Sequence, residues 1–167
     1  MTMPCLELPN DDIVLDRIRE ISNFLAAIGL KRYEISNYAI PGFECRHNMA
    51  VWRGEDYIGL GEGAHGRIGL VRTFVGTYAL PVHADGHTER TGVSPVQTEI
   101  LTPEQDEKER RLFRLRTTDG LDITGRPDWG QALDRFAAEG LVVKSGPVYR
   151  LTERGAEVCD SILAELV

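Results

Sequence analysis

The sequence predicts an α/β protein in two parts: an opening helix–strand unit, then a C-terminal α+β unit with winged-helix-like element order. Apolar residues recur every three or four positions near the start and again in the C-terminal part, the helical period. Two short apolar runs flank Lys144-Ser145-Gly146-Pro147, which signals a hairpin. Between these regions, from Pro41 to Gly69, prolines and glycines break any regular period.

Each element has its own local reason. Asp11 or Asp12 can cap the first helix by accepting from free N–H groups of the first turn. Val14, Ile18, Ile21, Leu25 and Ile28 form its apolar stripe, and Gly29 can end it in the left-handed conformation. Tyr33 to Tyr38 reads as a strand, so the opening is half of a βαβ repeat without the neighbouring strand that parallel pairing needs. Unpaired edges of that kind are templates for self-pairing, and a homodimer that completes the sheet is expected. Tyr57 to Leu60 suggests a short strand and Arg67 to Tyr78 a strand or hairpin, whereas residues 81–100 read as loop and connection. Thr102, Pro103 and Gln105 then make a capping box that starts a helix running to about Arg116. A second helix is expected from about Pro127 to Glu139, closed by Gly140. The hairpin arms Leu141–Val143 and Val148–Leu151 follow around a four-residue loop, and a last helix carries Val158, Ile162 and Leu166 on one face. The expected divisions are residues 1–80, a connection 81–102, and 103–167.

Composition narrows the function classes. With 167 residues, 42% of them apolar and 27% charged, the chain can bury a core. No apolar run approaches the roughly 20 residues of a membrane helix, and Met1-Thr2-Met3-Pro4 opens no signal pattern. Nineteen Lys and Arg against 26 Asp and Glu give a net charge of −7, a poor surface for phosphate backbones. The helix that would read DNA in a winged helix carries Asp128, Asp134 and Glu139 against Arg135, and the last helix is acidic too. Nucleic acid is therefore excluded as the expected partner. Three scattered cysteines, Cys5, Cys45 and Cys159, fit a reducing, cytoplasmic setting.

The polar and aromatic residues concentrate in Tyr33-Glu34-Ile35-Ser36-Asn37-Tyr38, Pro41-Gly42-Phe43-Glu44-Cys45-Arg46-His47-Asn48, Trp52-Arg53-Gly54, Asp56 to Gly61 and Gly63-Ala64-His65. Over this stretch the chain resembles the C-terminal part of the oxygen-independent coproporphyrinogen III oxidase family of radical S-adenosylmethionine proteins, and most of all its haem-chaperone (HemW-type) branch. The resemblance covers nearly the whole chain. It implies that residues 1–80 are the last helix–strand portion of a partial β/α barrel, followed by the family's winged-helix-like domain. Glu34, Ser36, Asn37 and His65 would then line the barrel cavity, since β/α barrels gather functional groups at the C-terminal ends of their strands. The family's barrel binds S-adenosylmethionine and a 4Fe-4S cluster through a C-x3-C-x2-C motif. No such spacing occurs here, so the resemblance implies a fragment that is not expected to perform the radical chemistry by itself.

The chaperone branch carries an H-N-x-x-Y-W motif associated with haem, which here reads His47-Asn48-Met49-Ala50-Val51-Trp52, with Val51 in place of Tyr. By that resemblance His47 is the candidate axial ligand of haem iron, Trp52 would pack on the macrocycle, Asn48 belongs to the same motif, and Arg46 and Arg53 would pair with the propionates. A His-Asn pair after a turn also commonly ties backbone groups together, and that reading stands beside the first. Cys45 is a second thinkable iron ligand, read more simply as an idle thiol. Gly59, Gly61 and Gly63 lack the strand–turn–helix context of a dinucleotide fingerprint, so close chain packing is the expected reason for them. His83 and His87 are expected in a solvated loop. The resemblance thus implies haem binding or delivery, with part of a coproporphyrinogen III dehydrogenase, or a piece without activity of its own, as alternatives. Haem or a porphyrin is the expected partner.

Overall fold

A computed structural model describes residues 9–76 and 95–167. The expectations for Tyr78, His83 and His87 lie outside the described residues, as does Cys5. The chain divides into two compact units: one comprises residues up to Met49 together with Arg114–Val167, the other Ala50–Phe113.

In the first unit, α1 spans Asp11–Ala27. Its cap is Asn10, whose Oδ1 accepts from the Ile13 N–H at 2.9 Å, so the expected caps Asp11 and Asp12 lie instead in the first turn, where their charge favours the helix dipole. Gly29 closes it with φ +87°. The helix is turned opposite to what its stripe suggests. No α1 residue is buried, and Val14, Ile18, Ile21, Phe24 and Ile28 are exposed. The polar side makes the contacts: Arg19 donates to both Glu157 oxygens at 2.8 Å, and Ser22 meets the Tyr38 hydroxyl and Arg32. The strand expected over Tyr33–Tyr38 is a tight antiparallel pair instead, β1 (Lys31–Arg32) with β2 (Tyr38–Ala39), in register Lys31 to Ala39. The chain reverses at Ile35-Ser36, because Glu34 accepts from the Ser36 N–H and from Asn37 and so closes the turn. β1 therefore pairs with its own continuation. α2 (Arg46–Trp52) was hidden in the irregular stretch.

The second unit holds a three-stranded antiparallel sheet in the order β3 (His65–Ile68), β4 (Val71–Val75), β5 (Val96–Ile100). Gly69-Leu70 is its hairpin turn, with Gly69 at φ +56°. β5 falls where a connection was expected: its residues are all exposed, so no apolar alternation marks it. Tyr57 bridges Arg67 as a single residue, shorter than the strand expected from Tyr57 to Leu60. α3 (Pro103–Arg114) begins with the expected capping box, Gln105 N–H to Thr102 Oγ1 at 3.2 Å and Thr102 N–H to Gln105 Oε1 at 2.8 Å.

The C-terminal part of the first unit supplies its core. β6 (Leu121–Asp122), β8 (Val148–Leu151) and β7 (Val142–Ser145) form an antiparallel sheet in that order. Lys144 and Ser145 still pair across β7–β8, leaving a two-residue turn where four were expected. A 3-10 turn (Pro127–Trp129) leads into α4 (Gly130–Ala138), so the single helix expected from Pro127 starts with a tighter turn. The expected last helix is two short ones, α5 (Glu153–Glu157) and α6 (Cys159–Ala164), broken at Val158. Gly155 explains the first: a Cβ there would run into the Leu141 carbonyl, so the helix lies directly on the backbone before β7. Leu115, Leu121, Leu133, Val142, Tyr149 and Ile162 are the fully enclosed side chains. Tyr149 donates to Asp134 Oδ1 at 2.6 Å, and Lys144 pairs with the same oxygen at 2.7 Å. The Cys159 thiol is pushed up to about 11, chiefly by burial.

Leu133→Ala, a truncation at the centre of this core, is expected to cost about 2–5 kcal/mol, read as a lower midpoint in denaturant unfolding.

Candidate functional site

The residues expected around haem lie on or beside α2. Arg46 opens the helix and His47 follows in its first turn, both exposed; Arg53 is the exposed residue just after its end. His47 and Trp52 are five residues apart, about 140° around an axis with about 3.6 residues per turn, so they do not share a face of α2. Trp52 instead meets Phe113 edge-on, centroids 5.8 Å apart. Asn48 is half-buried; its amide reaches the Tyr33 hydroxyl at 3.4 Å and its Oδ1 lies 3.4 Å from the exposed Cys45 thiol. Asn48 thus links two side chains of its own unit, Tyr33 and Cys45.

The four residues expected to line a cavity separate into two places. Glu34 is buried, bridges Thr117 through its backbone, and borders a small void of about 80 Å³. Ser36 and Asn37 are exposed and direct their N–H groups at the Glu34 carboxylate, so the three form one hydrogen-bonded turn. His65 lies in the second unit, on the first strand of its sheet.

There the structure shows a half-open cleft of about 470 Å³ between the sheet and α3. Its floor is two cross-strand rows. His65, Phe74 and Gln97 stand opposite one another, and Arg67, Arg72 and Glu99 form the next row. The His65 and Phe74 rings are 4.8 Å apart. Val51, Tyr57 and Phe113 complete the apolar end. The other end is ionic: Arg67, 3% exposed, pairs with Asp106 and with Glu109 (3.5 Å), while Arg72 reaches Glu109 at 2.5 Å and Glu99 at 2.6 Å. Burial pushes the Asp106 carboxyl up, but hydrogen bonds from Arg110 and Arg67 outweigh it and hold the group below the usual carboxylate range.

Gly59 packs against the strand that carries His65. A Cβ at that position would collide with the His65 carbonyl, whereas Gly61 and Gly63 take positive φ in the intervening turn. Close chain packing therefore holds at Gly59, against the His65 backbone, whereas a Cβ at Gly61 or Gly63 would meet nothing within 4 Å and these two serve the turn. Sequence reasoning missed the ionic end of the cleft. Its signal was present as alternation, Arg67 two after His65 and Arg72 two before Phe74, with Asp106, Glu109 and Phe113 at helical spacing on α3.

No protein-family model matches the chain. It is 32% identical over 175 aligned positions to the haem chaperone HemW of Mycobacterium tuberculosis, which takes in 97% of this chain and 41% of that protein. It is 30% identical to HemW of Escherichia coli, over 93% of this chain and 43% of that protein, and 32% identical to HemW of Bacillus subtilis, over 96% and 45%. The chain corresponds to the C-terminal part of HemW-type haem chaperones. It spans less than half the length of these relatives. Among solved structures, coproporphyrinogen III oxidase (HemN) of Escherichia coli, described as a radical SAM enzyme, superposes with a TM-score of 0.64 at 18% identity, covering 95% of this chain and 42% of that one. The mixed α/β fold is thus that of a HemN-like protein's part. Among the described residues, no helix is long and apolar enough to cross a membrane.

The Asp106–Arg67 pairing makes a pH prediction. A carboxyl held below its ordinary value contributes stability above the unfolded pKa, about 4, and loses it as pH falls through the lower folded value. Acid titration followed by tryptophan fluorescence is expected to show the wild type losing stability below about pH 4, and Asp106→Asn losing less over the same window.

Proposed function

We propose that this chain is the haem-binding part of a HemW-type protein and holds haem through His47. The observation that carries the reading is the His47-Asn48-x-x-x-Trp52 helix, with its imidazole exposed in the first turn, in a chain similar along its whole length to haem chaperones. A neutral imidazole nitrogen is suited to haem iron, so His47 would hold the group, and haem when bound would supply that iron. Arg46, beside His47, is suited to a propionate by charge and exposure, and so is Arg53. Trp52, at the end of the same helix, meets Phe113 edge-on and offers its ring as an apolar surface beside the motif. Val51 lacks the hydroxyl of the family motif and lines the cleft as an apolar wall.

The fit differs for the family's other cofactors. The cysteine set of the cluster motif is absent from the sequence, Cys45 is exposed while Cys159 is enclosed, and among the described residues no three His, Cys, Asp or Glu side chains converge as a metal site. No step of radical chemistry is assigned to these residues. In the same reading, the described residues among 1–80 belong to the closing portion of a partial β/α barrel. Residues 103–167 are its winged-helix-like domain, with the β7–β8 hairpin as the wing.

Haem titration of the whole chain, followed at the Soret band, tests the proposal. The wild type is expected to give a saturable shifted Soret band, His65→Ala to keep it, and His47→Ala to weaken binding at least tenfold. An unchanged titration in His47→Ala overturns the assignment of the ligand. A wild-type titration no different from haem in buffer overturns the haem reading.

A further inference from the structure

Arg46, His47 and Arg53 are not among the residues that line the cleft of the second unit. All of its lining falls within Ala50–Phe113, so one unit builds it alone. Its volume of about 470 Å³ lies in the range of small-molecule sites, roughly 300–1,000 Å³.

The two ends of the cleft ask for different chemistry. At the apolar end the tilted rings of His65 and Phe74 lie on the floor, and Phe113 stands in the wall, braced by Trp52. A flat aromatic ring suits such a slot. Tyr57 is fixed to the ionic end by two backbone hydrogen bonds of 2.8 Å with Arg67, so the ring wall and the guanidinium keep one spacing.

At the ionic end donors outnumber acceptors. Glu109 already turns one oxygen to Arg72 and the other to Arg67, and Asp106 divides its oxygens between Arg67 and Arg110. The Arg67 Nε, in a side chain 3% exposed, still has no acceptor among the described residues. A guanidinium carries more N–H groups than a carboxylate has oxygens, so this end lacks acceptors rather than cations. Glu99 is the replaceable member. It stands on the edge strand β5, its side chain 60% exposed against 19% for Glu109, and it pairs with Arg72, itself 37% exposed. An incoming carboxylate can take its place on Arg72 without changing the charge around that guanidinium.

We propose that this cleft binds a small aromatic carboxylate, its ring in the slot of His65, Phe74 and Phe113 and its carboxylate displacing Glu99 from Arg72. The site stands without haem and without His47.

Titration of the full chain, free of haem, with cinnamate tests it, followed by proton–nitrogen NMR, whose spectrum is also the folding control. Saturable shifts are expected at the backbone amides of His65, Phe74, Gln97 and Glu99, with the same affinity in His47→Ala. Cinnamamide, which keeps the ring and loses the charge, and acetate, which keeps the charge and loses the ring, are each expected to bind at least about tenfold more weakly. Arg72→Gln is expected to weaken cinnamate about tenfold or more and to bring acid and amide to within about threefold of each other. Glu99→Gln removes the competing carboxylate and is expected to tighten cinnamate about threefold or more. No saturable shift, shifts confined to residues away from the cleft, cinnamamide or acetate binding as well as cinnamate, or a Glu99→Gln variant that fails to bind tighter would each overturn the proposal.

Discussion

A buried guanidinium organises the second unit. Arg67 sits on the first strand of its sheet, almost fully enclosed, with Asp106 and Glu109 of α3 as its counter-charges. A charge taken out of water is tolerable only when paired and hydrogen-bonded, and removing one partner of such a pair typically costs about 3–5 kcal/mol. Helix and sheet are therefore held at the spacing the ion pairs need. Glu109 extends the constraint to Arg72, and Asp106 extends it to Arg110, which caps the Gly54 carbonyl. What the ion pairs do not fill, beyond their apolar side, remains as the cleft lined by His65 and Phe74.

The first unit is organised differently. Its core is apolar and lies around Tyr149, whose hydroxyl is satisfied by Asp134 so that the ring can be fully enclosed without a stranded donor. α1 contributes nothing to that core. It is held on by ion pairs and hydrogen bonds from its polar side, such as Arg19 to Glu157, which at a surface contribute little each. The unit thus has a well-buried centre and a helix attached by its wetter face.

Local signals were readable wherever they rested on backbone chemistry close in sequence. Thr102 and Gln105 satisfy each other's N–H groups within one turn, so their spacing alone located α3. Gly29 likewise marked the end of α1. Signals that rest on distant partners were not readable. The period of α1 is real, but a stripe says which residues share a side and not whether anything covers it. Tyr33 to Tyr38 has strand-forming residues, yet Glu34 accepting from Ser36 and Asn37 folds that run into a turn. β5 escaped notice because both its faces are exposed, which removes the alternation by which strands are found. Of the site, the haem motif was legible as a sequence pattern resembling a family. That α2 is a helix, and so points His47 and Trp52 apart, needed the backbone.

The enclosed Cys159 has a consequence for watching this protein move. Its thiol is both hidden and held protonated at neutral pH, so a thiol reagent can reach a reactive thiolate only after the α5–α6 end has lifted from the core. Cys45, exposed beside α2, needs no such event. Between the described cysteines, the fast reaction reports the surface and the slow one reports the opening of the C-terminal helices. The chain carries an internal clock for local unfolding without any added label.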